Sequence, residues 1–195
     1  MVIRLWQFNS YLLAAAGLAL LTGCQSAGSQ HEKQVATLRV FLEVNATGTD
    51  RTQSAKISRS HPIELTVDRA PILDESEIIE ARVADTVGGF AIIVSFDWRG
   101  TMLLEQYSAA NPGKHLAIVA QFGEKLAETR WLAAPLINHR ISEGRLGFTP
   151  DATRAEADEI VLGLNNHAKS HPEVKKAKKE KKDQKEMKEK KKKNE

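Results

Sequence analysis

Cys24 is the only cysteine in the chain, and it stands in the stretch LALLTGCQSAG that begins at Leu18. Its thiol is the one side chain there suited to forming a thioether, because a thiolate is the better nucleophile. Once that thiol is consumed, none is left for a disulfide, a cysteine nucleophile or a thiolate metal site. His167 and His171 are four apart, a metal-capable spacing on a helix. Pro172 follows at once and no carboxylate stands at ligand spacing, so a solvated helix end is the plainer reading. Glu75, Glu77 and Glu80 could form an acid pair, but on a strand or turn they read as a solvated edge. His115 and His139 fall in or beside expected strands, where a hydrogen-bonded or exposed histidine is the simple reading. No Gly-x-Ser-x-Gly elbow, phosphate-binding Gly loop or His-Glu-x-x-His motif occurs. The residues therefore assign no catalytic group, no metal ligand and no cofactor, and the expected function is not enzymatic.

The segment that positions Cys24 is more informative. Arg4 and the amino terminus supply positive charge, and an apolar run follows from Tyr11 to Leu21, broken by Gly17. This charged, apolar, then small-residue order is the plan of a secretory signal peptide. The run is short for a span, which needs about 20 apolar residues. Leu21-Thr22-Gly23-Cys24 resembles the lipobox of bacterial lipoproteins, in which the cysteine is acylated and begins the mature chain. That resemblance implies a membrane anchor on Cys24, with each buried CH₂ adding about 0.8 kcal/mol. The residue after the cysteine is Gln25, not the Asp associated with inner-membrane retention. The expected address is therefore the outer membrane, periplasm-facing, with the inner membrane as the other option.

Composition divides the chain into a leader (residues 1–23), a polar tether (24–35), a globular domain (36–169) and a lysine-rich tail (170–195). Lys175 to Lys193 holds twelve lysines, and six acids lie between His171 and Glu195. The tail carries about +6 of a total of +3, so the basic pI is its property and not the domain's.

Within the domain, TLRVFLEV (Thr37–Val44) alternates like a strand, and IELTV (Ile63–Val67) is a shorter one. EIIEARVADTVGGFAIIVSFD reads as a hairpin turning at Gly88-Gly89, with Ile79, Ala81 and Val83 on one face. Its second arm, Phe90–Phe96, is apolar enough for an inner strand. Asp97 can cap a helix through WRGTMLLEQYSAA that ends at Asn111-Pro112-Gly113. HLAIVAQF reads as a buried strand, and WLAAPLI and RISEGRLGFT as further strands, with Pro135 at an edge or bulge. A last helix starts either at Thr149-Pro150 or at a Thr153–Glu156 capping box. Its apolar stripe is Ala157, Ile160, Val161 and Leu164. The expected fold is α+β, an antiparallel or mixed sheet with two helices on one face.

These elements carry a second resemblance. Phe96, Gly100, Gly113–Val119 (Gly-x-x-Leu-Ala-Ile-Val), Ala134–Ile137 (Ala-Pro-Leu-Ile), Ile141–Gly144 (Ile-x-x-Gly) and Phe148-Thr149 follow one another as in a known module. Their order resembles the head subdomain of the first periplasmic region of the translocase subunit SecD. Upstream, APILDESEIIEARV is similar to that family's entry into its hairpin. The likeness runs over roughly Pro71 to Leu164 and implies a domain that touches polypeptides in the periplasm. Core and turn positions carry most of it, so it speaks for fold more than for chemistry. SecD itself is a multi-span membrane protein; no spanning helix is expected here after the leader, and the chain is not expected to transduce a proton gradient by itself. FGEKLAETRW replaces a shorter turn of the family.

Two aromatic–arginine neighbours stand out as binding anchors: Trp98 with Arg99 at a helix start, and Trp131 with Arg130 in the long insertion, near Phe122. The competing reading has both tryptophans covering the edge of the core. The tail has helix formers but no apolar stripe, so it is expected to be disordered or a solvent-exposed helix. Lys175, Lys176, Lys178, Lys179, Lys190, Lys191, Lys192 and Lys193 would contact an anionic surface such as lipid head groups, lipopolysaccharide or cell wall. Nucleic acid suits the charge equally, but a periplasmic address argues against it. The leading function is thus a lipid-anchored, non-catalytic module that binds envelope proteins or exported polypeptides. The other is a structural envelope lipoprotein whose tail adheres to an anionic layer.

Overall fold

The computed structural model describes residues 34–46, 48, 50–58 and 62–170. Cys24, the leader, most of the tether, His171 and the lysines of the tail lie outside the described residues. The domain holds strands β1 (Thr37–Leu42), β2 (Thr52–Ile57), β3 (Ile63–Asp68), β4 (Ile78–Thr86), β5 (Gly89–Phe96), β6 (Leu116–Phe122), β7 (Glu128–Ala133) and β8 (Arg145–Phe148). Two helices accompany them, α1 (Trp98–Ala110) and α2 (Arg154–Ser170). The fold is α+β, as its pattern indicates, and every strand pairing is antiparallel. The strands form three small sheets, in the orders β1-β6-β7, β2-β3 and β4-β5-β8.

Apolar alternation explains the layers. Leu38, Val40 and Leu42 of β1, and Leu116, Ile118, Ala120 and Phe122 of β6, face one core. Ile92, Val94 and Phe96 of β5 join them, covered by Leu104 of α1 and by Ala157, Ile160 and Leu164 of α2. Burying each such aliphatic side chain contributes about 1.5–3 kcal/mol. The other face of β1 and β6 presents Phe41 and Ala117, which pack under the β2–β3 ribbon through Ala55, Leu65 and Val67. β6 is therefore covered on both faces, which is why its sequence is apolar at every position but Gln121.

Local chemistry sets the boundaries. Asp97 accepts the Gly100 N–H at 2.7 Å and caps α1, and Asn111 Nδ2 donates to the Tyr107 carbonyl at 3.0 Å where the helix ends. Gly100 is required by packing, since a Cβ there would lie 2.8 Å from the Cβ atoms of Glu77 and Phe96. α2 begins at Arg154, not at Pro150. Thr153 and Glu156 form the reciprocal cap, with Thr153 N donating to Glu156 Oε2 at 2.7 Å and Glu156 N donating to Thr153 Oγ1 at 3.3 Å.

Two segments gain an assignment and two expectations need correction. β2 (TQSAKI) is a strand that the pattern left unassigned. Ile79 is 41% exposed while Ile78 is buried, because the register shifts at a bulge between Ile78 and Glu80. The FGEKLAETRW segment, longer than the family's turn, supplies the end of β6, a short 3₁₀ turn and most of β7. Residues 134–144 contribute no strand; Ala134 and Pro135 leave β7, and Leu136 makes an isolated bridge to His115.

Candidate binding surface

α1 puts Trp98 on its first turn, 78% exposed, with Met102 one turn further on and half exposed. Residues four apart lie on one helix face. Beside Trp98, Arg99 approaches Glu77 with 3.8 Å between Nε and Oε1. Glu77 is not a solvated edge residue. It is buried, and its Oε2 accepts the Asp74 N–H at 3.0 Å while Asp74 Oδ1 accepts from Ser76 N at 2.8 Å. Glu75 pairs with Arg39 across 3.8 Å, and Glu80 is exposed on β4. The three acids thus have three different surroundings and no shared site.

Arg130 and Trp131 lie on β7 and face different layers. Trp131 packs edge-on to Phe41, with ring centroids 5.4 Å apart, over the ribbon core. Arg130 donates to Glu156 Oε1 at 2.9 Å, reaches Glu128 at 3.2 Å, and holds its guanidinium 5.5 Å from the ring centroid of buried Phe122. It joins β7 to the first turn of α2. The Arg130 hydrogen bond, followed by the Thr153 N–H, lowers the Glu156 carboxyl below its ordinary 4.5. Trp98 and Trp131 therefore belong to separate places: one ring is open to solvent, the other is part of the packing.

Glu43, just beyond β1, meets His115, just before β6. Its Oε2 accepts from the His115 backbone N–H at 2.8 Å and lies 2.7 Å from the ring Nδ1. Burial pushes the Glu43 carboxyl up, but these hydrogen bonds and the positive charge nearby outweigh it and leave it lowered. His139 is exposed, and His167 sits on the last turns of α2. Among the described residues, no helix is long and apolar enough to cross a membrane.

An open cleft of about 280 Å³ lies where the three sheets meet. Ile57 and Ile63 of the ribbon form one wall, Ala133 at the end of β7 with Ala134 and Pro135 beyond it a second, and Phe148 at the end of β8 a third, with Gly147 and Thr149 at its side. None of the lining residues is charged. Little in the sequence points to this cleft, because its walls come from segments far apart in the chain. Its one local cue was the Ala-Pro pair that ends β7.

The whole arrangement corresponds to a known one. Residues 51–168 match the family model described as SecDF, P1 head subdomain, and the chain belongs to that family. The match starts at Arg51, before Pro71, and so takes in the β2–β3 ribbon. The solved structure of a membrane component SecDF that enhances protein export aligns with TM-score 0.51 and 21% identity, over 75% of this chain and 71% of that one. A SecDF structure in a super-membrane-facing form aligns with TM-score 0.51 and 22% identity, over 74% of this chain but only 21% of the SecDF chain. The domain thus spans about a fifth of that larger protein. No curated protein sequence matches the chain.

Proposed function

We propose that this protein is a non-catalytic binding module of the bacterial envelope, held to a membrane by lipid on Cys24 and facing the periplasm from the outer membrane. Its partners are exported polypeptides or components of the export machinery. Membership of the SecDF head family is the observation that carries this reading, since a solved relative of the same fold is described as enhancing protein export. Trp98 with Arg99 offers the contact surface: an aromatic ring this open, next to a long cation, has the composition of an interface anchor. Arg130 and Trp131 are engaged inside the domain, which leaves them less to offer a partner.

The test is a photocrosslinker at position 98 in intact cells. Capture of exported polypeptides or translocation components supports the role; capture of none rejects it. Mass spectrometry of the native amino terminus checks the anchor. An acylated Cys24 as first residue is the expected outcome, and an unmodified Cys24 or a retained Met1 rules it out. The second reading, a spacer whose lysine tail grips an anionic layer, draws on the +6 charge of residues 171–195. Deleting Pro172–Glu195 leaves the captured partners unchanged under the first reading and removes them under the second.

A further inference from the structure

The free side of β8 differs from the other outer strands around it. β5 and β8 pair through Ile92–Phe148, Ile93–Gly147, Val94–Leu146 and Ser95–Arg145. The pairing continues at Phe96, whose N–H donates to the Gly144 carbonyl at 2.9 Å. Antiparallel pairs alternate between hydrogen-bonded and non-hydrogen-bonded. Leu146 and Phe148 therefore spend their backbone groups on β5, while Arg145 and Gly147 turn N–H and C=O outward. Both residues are exposed, and β8 has no second strand neighbour. The uncharged cleft opens beside this edge, with Gly147, Phe148 and Thr149 on its wall. Asp151 N donates to the Leu132 carbonyl at 2.7 Å and ties the chain leaving β8 to β7 next to the cleft.

We propose that β8 is a strand-addition site: an extended polypeptide segment pairs with the outward groups of Arg145 and Gly147 and places an uncharged side chain in the cleft. This rests on the binding role proposed above and gives it a second, independent locus. Two donors and two acceptors on alternate residues match an extended backbone and nothing in a lipid chain. The charge pattern narrows the occupant further. No charged side chain lines the cleft, so a charge placed there would be desolvated without a partner. The exposed Arg145 at the start of the same edge is paired with Glu143 at 3.6 Å, so the edge carries little net charge and favours a neutral or weakly acidic segment over a run of cations. That excludes the protein's own lysine run as the occupant.

The experiment uses the full-length protein in detergent and a fluorescent ten-residue peptide that alternates valine with threonine and carries one glutamate. Anisotropy reads the affinity. N-methylating the peptide at alternate residues, those whose N–H faces β8, should weaken binding by about tenfold or more, and methylating the intervening residues by less than about twofold. Gly147→Pro removes one outward donor and obstructs the edge. The strand tolerates it because that N–H makes no ladder bond, and a Cβ at this position meets only Ile93 Cγ1, at 3.9 Å. It should weaken the peptide by about tenfold or more, with Gln106→Ala on α1 as the unchanged control. An even response to N-methylation, full affinity in Gly147→Pro, or no binding of the peptide overturns strand addition at β8. A concentration-dependent dimer that Gly147→Pro abolishes would show a second copy on the edge and overturns it too. Crosslinking from position 98 is judged separately, so the binding role can stand where this site fails, and the reverse.

Discussion

At Ala81, on β4, the outward N–H and C=O are both taken by one side chain: Asn165 Oδ1 accepts at 2.9 Å and Asn165 Nδ2 donates at 2.8 Å. At Gly147, two strands away on β8, the same pair of groups faces out beside an uncharged cleft. One sheet thus has a closed edge and an open one. The difference comes from where the helices lie. α2 runs along β4 and brings a primary amide, which mimics a strand because it holds a donor and an acceptor side by side. α1 packs on β5 and contributes no such group to β8. The β1 edge is closed as well, by Leu73, whose carbonyl accepts the Val40 N–H at 2.9 Å. Proteins cover or blunt exposed strand edges to avoid unwanted pairing, so an edge left open next to an uncharged cleft is a place where pairing is wanted.

The largest effect should come from removing what both edges share. Leu104→Ala empties a fully buried position under α1 and should cost about 2–5 kcal/mol in a denaturant melt. An unchanged melt would show that the helix layer does not support the sheet as described. Asn165→Ala strikes the closed edge alone. Two backbone groups lose their partner, and the expected loss is about 1–3 kcal/mol, with faster hydrogen exchange at the Ala81 amide. If exchange there stays slow, something other than Asn165 closes β4.

Acid titration sharpens the same contrast by loosening α2 at its start. The Glu156 carboxyl is lowered below 4.5 by Arg130 and the Thr153 N–H. A lowered carboxyl stabilises the fold above its unfolded value and loses that contribution as pH falls through its folded value. Glu156→Gln, which keeps the capping acceptor but loses the charge facing Arg130, should therefore be less stable than the parent at neutral pH by about 0.5 kcal/mol, and the two should converge well below pH 4.5. Parallel curves across that range would mean the carboxylate is not what holds the turn. The smallest effect belongs to the open edge. Gly147→Pro should change stability by less than about 0.5 kcal/mol, because no native hydrogen bond uses the lost donor; a large loss would mean that β8 is already paired.

Much of this was legible in the chain. The hairpin turning at Gly88-Gly89, the Asp97 cap, the α2 stripe and the inner strands β5 and β6 follow from short-range pattern, and the resemblance to the SecD head stood on the same residues. β2 was not legible, because only Ala55 and Ile57 of its six residues are buried and the rest reads as a polar loop. The face of Ile79 does not follow from alternation, because one extra residue in a bulge inverts the pattern before it. Trp131 could not be told from Trp98 by its neighbours, since each has an arginine beside it; the partner that separates them, Phe41, lies ninety residues upstream. The closure of β4 depends on residues 84 apart in sequence, and neither propensity nor period carries that information.

One contact on α2 bears on how the domain would respond to being pulled. Gly163 lets the entering chain lie against the helix, since a Cβ there would sit 2.5 Å from Ala36 N and 2.8 Å from the Val35 carbonyl carbon. One turn later Asn166 Nδ2 donates to the Gln34 carbonyl at 3.0 Å. The last residue of the helix, Ser170, lies about 6 Å beyond Asn166 along the axis. The chain therefore enters and leaves the domain at the same end of one helix. Tension on a tether attached upstream of Gln34 would run as shear along α2 and pass through Asn165 into β4, the closed edge. The cleft and the open edge of β8 stand off that line of force, so a pull applied at Gln34 leaves them undeformed.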